Sequence, residues 1–169
     1  MLRIVSLVRV TACVAALCLA GVSADAQVKN KQLASTPTAP AAPAPEKKAH
    51  RLVLQVDSAD PGMMHLALNN ASNVEQYYKE LGEKVQIEIV TFGPGLHMLR
   101  EDTSPVKDRI KAMAEKSPTI AFRACGNTQA NMARNEKQEI ELIPEATVVK
   151  SGVVRIMELQ EQGWSYLRP

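Results

Sequence analysis

From about residue 50 to the end of the chain, short apolar runs alternate with longer stretches of mixed polarity. Arg51-Leu-Val-Leu-Gln-Val-Asp57 predicts a strand with both faces mostly buried. Across residues 63–81 the apolar positions are Met64, Ala67, Leu68, Ala71, Val74, Tyr78 and Leu81. Their spacing predicts an amphipathic helix, with Pro61 suited to its entry and Gly82 to its stop. Residues 84–92 form a second strand, in which Val85, Ile87 and Ile89 alternate with Gln86 and Glu88. That alternation predicts one wet face and an edge position. Gly93-Pro94-Gly95 breaks the chain, and residues 96–100 make a short helical turn. Ser104 and Pro105 predict a capped helix start, with Val106, Ile110 and Met113 facing inward. Residues 119–125 read as a third strand leading into another helix, and residues 142–149 hold a fourth near their end. A last helix runs from Val153 to about Glu161, with Val153, Ile156, Met157 and Gln160 expected on its inner face. Gly163 ends it, and residues 164–167 make a final short strand.

Strands alternating with helices predict the α/β class. The expected form is a flavodoxin-like three-layer sandwich, with an approximately five-stranded, mostly parallel sheet and helices on both faces. A strand order of 2-1-3-4-5 would put the half-polar second strand at an edge. Ligands would then bind beyond the carboxyl ends of the first and third strands, where the order reverses. Asp57 ends the first strand and Cys125 the third.

The front of the chain has a different pattern. Arg3 and Arg9 precede and flank an apolar run that continues to Val22, and Ala24-Asp25-Ala26 follows. This predicts a secretory signal peptide over residues 1–26, export to a bacterial periplasm, and no stable membrane insertion after cleavage. Residues 27–49 are rich in Pro and Ala and predict a disordered linker. The domain is expected over residues 50–169, which hold 14 Lys and Arg against 16 Asp and Glu. The basic character of the whole chain therefore lies in its front segments. A domain-wide basic footprint for nucleic acid is absent.

Removing residues 1–26 takes away Cys13 and Cys18 and leaves Cys125 as the sole cysteine. An odd cysteine in an oxidising compartment is a free thiol, an intermolecular bridge or a modified sulfur. A buried small hydrophobe is the plainer alternative. Gly126 allows a tight turn, and Asn127 and Thr128 suit a helix start whose amides could face an anion. Arg123 shares a strand face with Cys125, where it could lower the thiol pKa or pair with Asp57 or another carboxylate. Gly93, Gly95 and Gly152 lie in neighbouring strand-end loops and could offer amides to a ligand, or simply shape turns. His65 and His97 are candidate bases or ordinary surface histidines. No dinucleotide or P-loop signature is present, one cysteine and three histidines make a poor metal set, and no cofactor is expected.

Phe92-Gly-Pro-Gly-Leu96, Ala124-Cys-Gly-Asn-Thr128 and Ser151-Gly-Val-Val154 carry a resemblance to the DsrE/DsrF-like family of small sulfur-relay proteins. So do Glu161-Gln-Gly-Trp-Ser-Tyr-Leu-Arg-Pro169 and the Asn69-Asn70-Ala71-Ser72-Asn73 stretch, the latter similar to an exported branch. The resemblance implies a flavodoxin-like fold and an oligomer, often trimeric or hexameric. It also implies a cysteine that carries sulfur as a persulfide between donor and acceptor proteins, and Cys125 is the position that matches. The relay members work in the cytoplasm, whereas this chain is addressed for export. Two further readings stand beside this one. The first is a non-catalytic module holding a small anion or metabolite at the strand-end rim, and the second is an oligomeric scaffold with a buried thiol.

Overall fold

The computed structural model describes residues 49–169. The expected signal peptide over residues 1–26 and nearly all of the linker over residues 27–49 lie outside the described residues. Five strands form one parallel sheet: β1 (His50–Val56), β2 (Val85–Thr91), β3 (Ile120–Cys125), β4 (Ala146–Val149) and β5 (Ser165–Leu167). Helices α1 (Pro61–Glu80), α2 (Lys107–Lys116), α3 (Gly126–Glu136) and α4 (Gly152–Glu161) connect them, with a 3-10 helix at Gly93–Leu99 after β2. The α/β sandwich with helices on both faces is thus present.

The strand order differs from expectation. It is β4-β3-β2-β1-β5, so β2 is central and the edges are β4 and β5. β1 and β3 are not neighbours, because β2 lies between them. The polar alternation of β2 misled for a physical reason. Gln86 is exposed, but Glu88 is buried and paired to Arg123 and Arg155. An ion-paired interior face has the same alternation as a wet edge.

The chain moves one way from β1 to β4 and then returns across β1 to β5. Right-handed crossovers make that reversal change faces. The larger core lies on one face, where Met64, Ala67, Leu68 and Ala71 of α1 pack with Leu96, Met98 and Ile110 on Leu54, Ile87, Ile89 and Phe122. Met132 of α3 packs against the same cluster. On the other face α4 packs Ile156 and Leu159 onto Val53 and Val90, flanked by Phe92 and Trp164.

Two local expectations are also corrected. α4 buries Gly152, Ile156 and Leu159, while Val153 and Met157 are exposed. The helix turns this way because Gly152 packs on Phe92 and Arg155 points in to Glu88. α2 starts at Lys107, with no side-chain cap. The Ser104 hydroxyl instead donates to the Met98 carbonyl at 2.6 Å, and Pro105 and Val106 complete a turn before the helix. α1 starts at Pro61, its expected entry, with Asp60 as its cap accepting from the Gly62 amide at 2.8 Å.

Candidate functional site: a caged thiol at a helix start

Cys125 is the last residue of β3 and itself the N-cap of α3. Gly126, Asn127 and Thr128 are therefore the first three helical residues rather than caps. The thiol is buried, with 4% of the residue exposed. The starts of α3 and α4 stand beside it, and the chain after β2 braces both through Phe92 and Gly93. Gly152 makes the α4 contact possible, since a Cβ there would stand 3.2 Å from the Cys125 Cβ and 3.1 Å from Phe92 Cδ1. Gly126 is also tight, with Val149 O at 3.2 Å from any added Cβ. Gly93 adopts φ 52°, a left-handed conformation that favours glycine, and its amide donates to Thr128 Oγ1 at 3.0 Å. With its oxygen accepting from Gly93, the Thr128 hydroxyl proton is free to point at the sulfur.

Burial pushes the Cys125 thiol up. The Thr128 hydroxyl and the amides of Gly152, Thr128 and Asn127 outweigh it, and the pKa lies below the ordinary thiol value. The sulfur makes no full capping hydrogen bond, so these donors act as a surrounding cage rather than as tight partners. The Asn127 amide is shared, because it also donates to Lys150 O at 3.2 Å.

Arg123 is held by a carboxylate. Its Nε lies 3.3 Å from Glu88 Oε2, and Arg155 binds the same carboxylate through Nε at 3.0 Å and Nη2 at 2.6 Å. Burial pushes Glu88 up, but its bonds to Arg155 and Arg123 hold it below the usual carboxylate range. The Glu88 carboxylate thus joins β2, β3 and α4. Beside α4 an open cleft of about 540 Å³ is lined by Asn127, Lys150, Ser151, Arg155 and Glu158, among others.

The remaining predicted residues are not brought to the thiol. Asp57 forms a bidentate pair with Arg168, at 3.1 and 2.9 Å, beside the edge strand β5. Gly95 is structural: a Cβ there would fall 2.1 Å from Val56 O, and its amide already donates to Phe92 O. His65 contacts Arg109, and His97 Nδ1 lies 2.8 Å from Thr103 Oγ1. Among the described residues no group of acidic, histidine and cysteine side chains could hold a metal. Sequence reasoning missed Phe92, Glu88 and Arg155. The polar positions of β2 and the charge between Val154 and Ile156 were the available signals.

No family model and no curated protein matches the chain. Among solved structures it is similar to MTH1491 of Methanobacterium thermoautotrophicum, a protein of unknown function. The two are 30% identical, the match covers 71% of this chain and 99% of that one, and the TM-score is 0.60. The chain belongs to the same family as MTH1491. That kinship fixes the fold and leaves the chemistry of Cys125 to its surroundings.

Proposed function

We propose that this is an exported, DsrE-like sulfur-handling or thiol-redox protein whose Cys125 thiolate accepts and carries sulfur. The observation that supports this reading best is the donor cage. Burial alone would raise a thiol pKa, yet the Thr128 hydroxyl and three backbone amides bring it down. The α3 start adds its own preference for negative charge. In the loading step the Cys125 thiolate attacks the outer sulfur of a donor persulfide. The donor S–S bond breaks, a new S–S bond forms on Cys125, and the donor leaves as a thiolate, with no net oxidation. Arg123 is held in its pair with Glu88. The exposed Val153, Val154 and Met157 of α4, with Tyr166 and Leu167 on the β5 edge, supply an apolar surface suited to a homo-oligomer. Secretion through the N-terminal segment places the protein in the periplasm.

The test is incubation of the full chain carrying Cys13→Ser and Cys18→Ser with a polysulfide donor, followed by intact mass. This parent gains sulfur at Cys125, and adding Cys125→Ser abolishes the gain while the fold is kept. Loading of Cys125→Ser would refute the reading.

The cleft of about 540 Å³ lined by Lys150 and Arg155 favours a second reading, a module that binds a small anion beside an inert thiol. In that case an anion panel would stabilise wild type and Cys125→Ser equally.

A further inference from the structure

Glu88 sits on the central strand with 5% of its surface exposed, an unfavourable place for a charge unless something requires it there. Its strongest partner is Arg155, a bidentate pair across the sheet face. Arg155 is three residues after Gly152 and its amide bonds Ser151 O at 3.0 Å, so the pair anchors the first turn of α4. Apart from this pair, α4 buries only Gly152, Ile156 and Leu159. The same first turn carries Gly152, packed so that an added Cβ would stand 3.2 Å from the Cys125 Cβ, which brings its amide to the thiol.

We propose that Glu88 is a positioning residue for the thiol: through Arg155 it fixes where the Gly152 amide stands over Cys125. The inference rests on the reading of Cys125 as a working thiolate. It concerns the residue that holds the cage together, rather than any group touching the sulfur.

The sign of one shift separates positioning from plain electrostatics. Glu88→Gln removes a negative charge, leaving Arg123 without its carboxylate and Arg155 with only Glu158 at 3.8 Å; Lys150 is the other charge facing the cleft. Coulomb's law alone then lowers the thiol midpoint. Loss of the Gly152 amide raises it. Arg155→Lys keeps the charge but loses the planar fork that fixes the helix. It therefore tests geometry with the charge held constant.

The experiment is the pH profile of iodoacetamide alkylation in the full chain carrying Cys13→Ser and Cys18→Ser. The plateau rate at high pH reports access, and the midpoint reports the donor cage. The expected result is an upward midpoint in both variants. Below the midpoint this is a fall of about threefold in plateau-normalised rate. If Glu88→Gln does not fold, Arg155→Lys decides alone. A lowered midpoint in Glu88→Gln, or an unmoved one in Arg155→Lys, overturns the proposal. An ordinary thiol midpoint in the parent protein would instead defeat the sulfur-handling reading, and this inference with it. A low parent midpoint with unmoved variants defeats only this inference.

Discussion

Gly152 and Cys125 approach each other so closely that a methyl group on Gly152 would stand 3.2 Å from the Cys125 Cβ. This contact joins the start of α4 to the end of β3 and makes a cage out of an otherwise ordinary helix N-terminus. Gly152→Ala must push α4 outward, because Phe92 blocks the other side at 3.1 Å. We expect a loss of about 1–2 kcal/mol in chemical denaturation. The alkylation midpoint should rise as the Gly152 amide moves away.

Thr128 links the cage to the loop after β2. Thr128→Val keeps the shape but leaves the Gly93 amide without its acceptor and removes the hydroxyl that favours the thiolate. The expected cost is about 1–2 kcal/mol. The thiol should titrate higher than in wild type, measured by its ultraviolet thiolate absorbance against pH. An unchanged titration would show that Thr128 acts only as a loop anchor.

Gly95 sits against backbone, which cannot yield as a side chain can. A Cβ there would meet Val56 O at 2.1 Å and Asp57 N at 2.8 Å. Gly95→Ala should cost about 3 kcal/mol, read from the denaturant midpoint. Gly82→Ala is strained by its φ of 68° yet meets nothing within 4 Å. Its cost should be smaller, about 1 kcal/mol.

Acid should destabilise the protein through Glu88. Burial raises its pKa, but the bonds to Arg155 and Arg123 win and its folded value is lowered. Between the folded and unfolded values the unfolded chain binds the proton and the native one does not. The contribution of Glu88 is thus fully present above the ordinary carboxylate value and is lost as pH falls through the lowered one. Denaturation midpoints across the acid range should show a shallower slope in Glu88→Gln than in wild type. Equal slopes would remove Glu88 from the account.

Much of the fold could be read from the pattern of residues. The three-and-four spacing of Met64, Ala67, Leu68 and Ala71 gave α1, and all four are buried. The five strands appeared in order, since short apolar runs bounded by turns leave little choice. Strand order could not be read that way. The Gln86 and Glu88 alternation fits an edge or an ion-paired interior equally well, because local pattern does not say whether a carboxylate has a partner 67 residues away. The same limit hid the inner face of α4, whose rotation is set by Gly152 and Arg155 rather than by its most hydrophobic residues.

By itself the sequence determined the α/β class, the placement of Cys125 at a strand end, and the helix that starts beside it. These depend on local periodicity and on glycine and proline punctuation. The amides of Asn127 and Thr128 are local to that helix start, but tertiary structure alone decided the rest of the surroundings. It brought Gly152 to Cys125 and the Gly93 amide to Thr128, left Asp57 to Arg168, and gave Arg123 to Glu88. The reason is that a thiol's acidity depends on donors within a few ångströms, and distances of that kind are fixed only when distant segments pack.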